Sequence, residues 1–472
     1  MLKLRDYQEV VVEHIRQSYR DGFKSPLLVL PTGSGKTVVF SYVAAQTSSR
    51  GKRVLILVHR IELLRQTANK LSEAGVYHGL INPKYTPNLH APVQVASVQT
   101  VVNRLNKIHP PDLIIIDEAH HALAGTWRKV IEAFPNARVL GVTATPCRGD
   151  GTGLGLSAGG VFDDIVMGPQ IAELIDMGFL VKPRIYAPKE KLDLSAVRTI
   201  RGDYDAKQLN EVVDKPTITG DAVQHYMRLC PGTPAVVFCV SVNHAQHVAE
   251  EFRRAGFRAY HADGTLDDDV RGRILGGLGN GTVDVVTSCD LISEGTDIPA
   301  IGCAILLRPT QSLGLYIQQV GRALRTADGK SQAIILDHVG NVITHGLPDE
   351  ERQWSLDGTK KTKRKKNDDE PNVRVSQCPS CFMIHEPGPV CTSCGHVYEV
   401  KNDKGPEQVD GELVEMTEAQ KQAIKRSKVQ QVAKAKTLEE LERIAEERGY
   451  KPGWAKHVYN SRLQRSGEQE LV

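Results

Sequence analysis

The chain has 472 residues, of which 40% are hydrophobic and 24% are charged, and its formal net charge is +3 at pH 7. A chain of this length exceeds what one hydrophobic core supports, so we expect about two to four domains of ordinary globular composition. No apolar run approaches the roughly 18 residues needed to span a bilayer, and the N-terminal residues lack an apolar signal core. The sequence therefore predicts a cytoplasmic protein with no membrane partner.

The first segment with a chemical signature is glycine-rich and lies between a short apolar run (residues 27–30) and a helix-compatible stretch (residues 38–46). Strand, glycine turn and helix in this order favour a phosphate site, because backbone N–H groups converge on one anion and the helix dipole adds to them. We expect Lys36 to reach the β- and γ-phosphates of ATP and Thr37 to hold Mg²⁺. The general pattern has glycine where this chain has Leu30. The other predicted loop residues are Thr32, Gly33, Ser34 and Gly35.

Residues 1–150 contain five apolar segments separated by helix-like stretches, which predicts a parallel sheet covered on both faces. Ligands bind beyond the carboxyl ends of such strands. Asp117 and Glu118 follow one apolar segment, and an acid there is costly unless it meets a cation. We expect Asp117 to complete the Mg²⁺ shell opposite Thr37, and Glu118 to orient or deprotonate the attacking water.

Three residues that follow the apolar segments are candidates for coupling. His120 is expected to link the acidic loop to another lobe, and Thr143 and Thr145 can hydrogen-bond that loop and report its state. Near the N-terminus, the Gln8 amide can donate to and accept from adenine. Arg5 precedes it, and a helix surface is the alternative interpretation for both residues.

Taken in order, these motifs resemble those of superfamily 2 helicases of the DEAH type. The resemblance implies two RecA-like lobes and an ATP hydrolase. It also implies that the segments containing Arg60, Gln99 and Thr100 touch the nucleic-acid backbone.

A second α/β unit is predicted over residues 170–345, after a glycine-rich connector. Arg322 and Arg325 are three residues apart and share a helix face beside Gln318. Two guanidiniums there suit a γ-phosphate contributed across a cleft, as an arginine finger, and a solvated basic face is the alternative. The family resemblance further implies that Asp297 helps bind nucleotide and that the strand end near Thr287 faces nucleic acid.

Near the C-terminus, two Cys-x-x-Cys pairs are separated by nine residues, and they consist of Cys378, Cys381, Cys391 and Cys394. Four thiolates at this spacing predict a closed, structural Zn²⁺ site of the ribbon type, with a redox pair as the alternative. The other five cysteines are scattered, which fits a reducing compartment. DNA is favoured as the molecule that the ribbon contacts.

The remaining C-terminal sequence is basic and then helix-favouring. The run of lysines and arginines at residues 359–366 is either solvated or binds the phosphates of a nucleic acid by electrostatic attraction. Residues 437–449 are typical of a capped amphipathic helix. Trp454 and Tyr459 are expected either to stack on bases or to pack within a small domain. This order of lobes, ribbon and tail resembles bacterial RadD-type DNA-repair ATPases and related phage helicases.

The predicted fold is α/β, with two RecA-like parallel-sheet lobes, a C-terminal zinc ribbon and a small helical tail. The boundaries are lobe 1 at 1–150, connector at 151–169, lobe 2 at 170–345, linker at 346–375, ribbon at 376–400 and helical region at 401–472.

The predicted activity is hydrolysis of ATP, with Mg²⁺ as cofactor and structural Zn²⁺, coupled to translocation on or unwinding of DNA in repair, recombination or replication. A bacterial or phage-infected cell and a repair or replication protein partner are implied. Three alternatives stay open: an RNA helicase, an ATP-switched DNA-binding or remodelling protein that does not separate strands, and a motor subunit of a nuclease system.

Overall fold

The structure is a computed structural model. It describes residues 3–122, 125–147, 152–188, 192, 194–200, 202–214, 216–289, 298, 300–357, 376–377, 384–385, 414–415, 435, 437–448, 453–456 and 458–460. The chain divides into two compact units. One consists of Met1–Lys360 with Val409–Val472, and the other of Lys361–Gln408.

The first lobe is a parallel sheet with helices on its faces. Its strands are β1 (Pro26–Val29), β2 (Val54–Val58), β3 (His78–Ile81), β4 (Val93–Ser97), β5 (Leu113–Asp117), β6 (Arg138–Thr143) and β7 (Asp164–Met167), in the spatial order β3-β4-β2-β5-β6-β1-β7. Its helices are α1 (Asp6–Arg20), α2 (Lys36–Ser48), α3 (Ile61–Glu73), α4 (Val98–Val101), α5 (Gly125–Glu132) and α6 (Ile171–Asp176).

Successive residues of the strands enter different apolar clusters. Leu28 of β1 packs in one cluster, whereas Leu27 and Val29 pack in the other. Since side chains alternate across a sheet, both faces are buried, and this explains why the strands are almost continuously apolar.

The second lobe repeats this design. Its strands are β8 (Lys182–Ala187), β9 (Thr199–Ile200), β10 (Asp203–Tyr204), β11 (Ala235–Phe238), β12 (Ala259–Ala262), β13 (Val285–Ser288), β14 (Cys303–Leu306) and β15 (Gln332–Asp337). Its helices are α7 (Ala206–Val213), α8 (Pro216–Leu229), α9 (Val242–Arg254), α10 (Asp268–Asn280), α11 (Leu313–Ala323) and α12 (Asn341–His345).

The C-terminal part contributes to both units. In the second unit, β16 (Ser376–Gln377) pairs antiparallel with β17 (Ile384–His385). In the first, β18 (Val414–Glu415) pairs antiparallel with β8. The second sheet therefore has the order β12-β13-β11-β14-β15-β8-β18, which matches the first sheet position by position. The prediction of two parallel-sheet lobes is confirmed. Residues 414–415 form a sheet edge inside the region that the sequence assigns to helices.

Helix α13 (Leu438–Arg448) lies in the C-terminal part. The Thr437 hydroxyl accepts from the Glu440 N–H at 3.2 Å, and the Glu440 carboxylate accepts from the Thr437 N–H at 3.1 Å, which is a capping box. Trp454 and Tyr459 pack against the small apolar cluster that contains Leu441 of this helix. Both rings are therefore partly covered by this cluster. Among the helices that the structure describes, none has the length and apolar character to cross a membrane.

Two histidines packed into the second lobe, one buried and one partly buried, make it sensitive to acid. Burial lowers the pKa of His244 to about 4 and that of His338 to about 3, whereas burial raises the pKa of Asp337 to about 6. A histidine whose folded pKa lies below its unfolded value contributes stability that is lost as pH falls below about 6.5. Asp337 has the opposite sign and gains stability as pH falls through about 6.

We expect His338→Gln to change how the free energy of unfolding depends on pH. Between pH 7 and pH 5 the wild-type protein loses about 2 kcal/mol through His338, which stays neutral in the fold, and glutamine has no such loss. The net change for wild type itself should be small, because Asp337 and Asp117, whose pKa values are raised to about 6 and about 7, gain stability over the same range. Urea unfolding of both proteins at the two pH values measures the difference, and an equal pH dependence of wild type and variant would contradict the prediction.

Candidate nucleotide site

The glycine-rich loop lies between β1 and α2 at the carboxyl edge of the first sheet. Gly33 and Gly35 have φ angles of +88° and +80°, which residues with a Cβ rarely adopt. The loop is clamped from α1, because the Ser34 carbonyl accepts from the Tyr7 hydroxyl at 2.5 Å and from Gln8 Nε2 at 3.0 Å. Lys36 and Thr37 form the first turn of α2, where the helix dipole favours an anion.

The Gln8 side chain is fully engaged within the protein. Its Oε1 accepts from the Arg5 N–H at 3.0 Å while its Nε2 donates to the loop. The Arg5 guanidinium lies 4.4 Å from the centre of the Phe179 ring, which also packs on Tyr7. Phe179 was not singled out from the sequence. A lone aromatic after Gly178 was its only local signal, since its partners are far away in the chain.

The acidic loop follows β5. Asp117 and Glu118 are buried, and the Glu118 N–H donates to Asp117 Oδ1 at 3.0 Å. Glu118 has φ +49°, a left-handed conformation that costs a non-glycine residue about 1–3 kcal/mol. Burial, and then the charge of Glu118, raises the pKa of Asp117 to about 7.

Lys36 faces both acids across this loop. Its Nζ donates to the carbonyls of Leu30 and Pro31 at 3.3 and 3.4 Å. Burial lowers its pKa, the charges of Glu118 and Asp117 oppose that change, and the charges of Arg322 and Arg325 add to it. Cations from both lobes therefore converge on the same loop.

The second lobe approaches the loop through α11. A Cβ placed on Gly321 would lie 2.8 Å from Thr32 Cβ, and one placed on Gly33 would lie 3.2 Å from Arg325 Cγ. Glycine is required at both positions for backbone and side chain to come this close. Gln318 and Arg322 are buried on α11. The structure thus places the two predicted arginines beside the predicted phosphate loop.

A polar chain connects the acidic loop to the same helix. His120 Nδ1 lies 3.3 Å from Thr143 Oγ1, which donates to the Thr145 carbonyl at 3.0 Å. The Thr145 hydroxyl is close to Gly314 at the start of α11, where an added Cβ would lie 2.9 Å from it. These three residues therefore span the distance from the acidic loop to the second lobe.

The residues predicted to contact nucleic acid differ in their exposure to solvent. Gln99 is exposed, and its Nε2 donates to the His59 carbonyl at 3.4 Å, while Arg60 Nε donates to His59 Nε2 at 3.2 Å. Thr100 is buried in α4. Thr287 is fully buried, and its hydroxyl donates to the Ala245 carbonyl at 2.6 Å, so it does not face an incoming strand in this arrangement.

Two sets of predicted residues cannot be placed. Asp297 and the four cysteines Cys378, Cys381, Cys391 and Cys394 lie outside the described residues. Within the part of the chain that the structure describes, no group of three or more His, Cys, Asp or Glu residues could hold a metal ion.

The described site fits a Mg²⁺-nucleoside triphosphate. Glu118 Oε2 is buried without a hydrogen-bond partner among the described residues, and His120 Nδ1 lies 3.5 Å from it. A buried, unsatisfied carboxylate oxygen is costly unless a ligand or water completes it. Lys36 and the loop amides suit the phosphates, whereas the Thr37 hydroxyl and Asp117 offer oxygen ligands of the kind that Mg²⁺ prefers.

Comparison with known proteins gives matches on both lobes. Residues 1–148 match the family model "Type III restriction enzyme, res subunit", and residues 220–327 match "Helicase conserved C-terminal domain". A "51.5 kDa protein" of a Lactococcus phage is 35% identical over 398 residues, which cover 84% of this chain and 83% of that protein.

Two further matches extend the comparison. The putative ATP-dependent helicase IRC3 of Saccharomyces cerevisiae is 32% identical over 71% of this chain but only 51% of its own length. The fragment structure of a putative HsdR subunit of a type I restriction enzyme from Vibrio vulnificus has a TM-score of 0.57 at 22% identity. It covers 73% of this chain and 66% of that one, and it shows the shared fold. From the two matched domains and these relatives, the chain belongs to the superfamily 2 helicases, a family of ATP-hydrolysing proteins that act on nucleic acids.

Proposed function

We propose that this chain is a DNA-dependent ATPase of the DEAH type that couples closure of its lobes to translocation on, or unwinding of, DNA in repair, recombination or replication. One observation carries the proposal. Arg322 and Arg325 of the second lobe meet Lys36 and Gly33 of the first lobe at a single loop. Neither lobe contains both the acids and the arginines, so a complete site needs the lobes together.

Each residue of the nucleotide site has a separate role in this mechanism. Lys36 and the loop amides would hold the β- and γ-phosphates, and Asp117 and Thr37 would hold Mg²⁺, which would screen the phosphate charge. Glu118 orients the attacking water and accepts its proton. Arg322 and Arg325 stabilise negative charge that develops on the transferred phosphoryl group.

Contacts away from the nucleotide support a defined closed arrangement. Arg271 on α10 of the second lobe forms an ion pair with Glu62 on α3 of the first, and it also pairs with Asp268 at 2.8 Å. Lys84 of the first lobe also pairs with Asp268. Hydrolysis and phosphate release would remove the charge that holds the arginines, and the lobes would separate at both contacts.

DNA is the preferred substrate. The matched family model takes its name from a restriction enzyme, a class of enzymes that acts on DNA, and similar relatives include phage proteins. The order of lobes, cysteine pairs and tail also resembles that of RadD-type repair ATPases. RNA differs by its 2′-hydroxyl, so parallel substrates separate the two possibilities.

ATP hydrolysis should be measured at one salt concentration with no nucleic acid, single-stranded DNA, duplex DNA, forked DNA and RNA. Glu118→Gln is the blank. We expect stimulation by DNA and little by RNA. Stimulation by RNA alone would overturn the DNA assignment, and an intact, DNA-stimulated ATPase that displaces no strand from any fork or overhang would favour a remodelling protein instead.

We also propose that Cys378, Cys381, Cys391 and Cys394 hold one structural Zn²⁺. The support is the spacing of the two Cys-x-x-Cys pairs. We expect purified protein to contain one equivalent of zinc by elemental analysis, and Cys378→Ser to lose most of it. Cys289→Ser, which makes the same change at a cysteine remote in sequence, is the matched control. Wild-type protein with no zinc after expression in zinc-supplemented medium would contradict the proposal.

A further inference from the structure

A groove of about 840 Å³ lies on the first lobe, at the edge of the sheet opposite to the nucleotide site. Its residues Lys52, Asp112 and Arg138 lie at or just before the starts of β2, β5 and β6. The residues of the nucleotide site instead follow the strands. Because the sheet is parallel, these are opposite edges, and a molecule in the groove would not occupy the nucleotide site.

The groove has a strong excess of positive charge. Of its 15 lining residues, one is acidic and five are basic, namely Arg16, Arg20, Arg50, Lys52 and Arg138. The one acid is already satisfied, because Asp112 accepts from Lys52 Nζ at 3.0 Å and from the Arg53 N–H at 2.8 Å. Its pKa is lowered mainly by that backbone hydrogen bond.

Two of the arginines pair with no carboxylate among the described residues. Arg50 and Arg138 are exposed and form no ion pair with any residue that the structure describes. The Arg138 guanidinium lies 4.9 Å from the centre of the Tyr19 ring, which holds it over the groove. By contrast, Arg16 and Arg20 both pair with Glu13.

The floor of the groove is apolar and aromatic. Tyr19, Tyr42 and Val43 are partly exposed there, and they rest on the buried side chains of Val12 and Ile15. The Tyr19 hydroxyl donates to the Val139 carbonyl at 3.0 Å, so its ring is fixed in place. The groove therefore offers a rigid apolar surface bordered by unpaired guanidiniums.

We propose that this groove binds an acidic segment of a partner protein. Carboxylates of the segment would pair with Arg50 and Arg138, and an apolar or aromatic side chain between them would cover Tyr19 and Tyr42. Guanidinium and carboxylate match each other in a two-bond geometry. Phosphates of a nucleic acid would also match the rim, but the floor between the two arginines is apolar, which suits the side chain of a peptide better than a sugar-phosphate backbone.

The groove lies at the far edge of the sheet, away from the contacts between the two lobes. A partner held there remains bound while the lobes open and close, so the motor and the partner can move together. The proposal is independent of which nucleic acid the motor prefers, since no residue of the groove belongs to the nucleotide site.

Fluorescence anisotropy tests the proposal on the full-length protein. The probe is a labelled ten-residue peptide with aspartates on both sides of a central phenylalanine, and the same peptide with lysine for aspartate is its control. We expect saturable binding of the acidic peptide only, weakened at least tenfold by Arg50→Glu with Arg138→Glu and weakened by added salt. Arg254→Glu on α9 is the matched charge reversal and should have no effect.

ATP hydrolysis of the Arg50→Glu, Arg138→Glu protein without peptide should equal that of wild type, which shows that the variant is folded. Three results would overturn the proposal: no peptide binding up to millimolar concentration, equal binding of the lysine peptide, or binding that survives both reversals. A labelled single-stranded DNA that loses affinity through the same two reversals, with no peptide binding, would assign the groove to nucleic acid instead.

Discussion

Replacing Arg322 with alanine is expected to lower the DNA-stimulated kcat for ATP hydrolysis by about 10³–10⁵-fold, the range found when an arginine finger is removed. Arg322 is buried on α11, and its charge acts on Lys36 of the other lobe. The guanidinium therefore acts where charge develops on the γ-phosphoryl group. Arg322→Lys should recover little, because one ammonium cannot reproduce the planar fork of donors.

The control for this variant is Arg254→Ala on α9 of the same lobe, whose side chain is 65% exposed. It removes the same charge from the lobe and should leave kcat unchanged. KM for ATP should change much less than kcat in Arg322→Ala, because the phosphate loop is intact. Full stimulated activity in Arg322→Ala would refute the assignment of this residue and the requirement for both lobes.

The features that the sequence predicts well are those set by local pattern. Continuous apolar strands indicated parallel sheets buried on both faces, and both sheets have that form apart from the antiparallel edge strand β18. The glycines at 33 and 35 were expected from the needs of a phosphate loop, and both have positive φ. In each case the physical cause lies within a few residues of the chain.

Features set by distant partners could not be predicted in the same way. Phe179 packs on Tyr7 and Arg5, and β18 pairs with β8, across more than 150 residues in each case. Thr287 illustrates the reverse problem. A hydroxyl at a strand end suits either a ligand or a neighbouring backbone, and here it donates to the Ala245 carbonyl. Periodicity gives the face of a strand but not the element that covers it.

Gly321 shows how local sequence pattern and distant contacts combine. Its place before Arg322 belongs to a recognisable motif, but the reason for glycine appears only in three dimensions, where α11 meets Thr32. A side chain there would push the helix away from the phosphate loop, and the arginines would move with it. The motif therefore contains both the arginines and the glycine that lets the two lobes approach each other closely.

Replacing Glu118 with glutamine should abolish most hydrolysis while ATP still binds. The carboxylate lies in a left-handed backbone conformation, is buried, and has one oxygen without a hydrogen-bond partner among the described residues. A conformation this costly is expected at a position whose side chain must point to one place. Glutamine keeps the size but cannot accept the proton of the attacking water, and loss of a general base typically costs about 10²–10⁴-fold in kcat.

Two measurements separate this role from a structural one. Equilibrium binding of a fluorescent ATP analogue to Glu118→Gln should match wild type within a few fold, because Lys36 and the loop are unchanged. Single-turnover hydrolysis should be slowed as much as steady-state hydrolysis, because the chemical step itself is affected. Glu132→Gln on α5, which makes the same change at an exposed position, should alter neither measurement.

If Glu118→Gln hydrolysed ATP at the wild-type rate, another group would have to be the base. If it lost ATP binding instead, Glu118 would be a residue that holds the loop in shape.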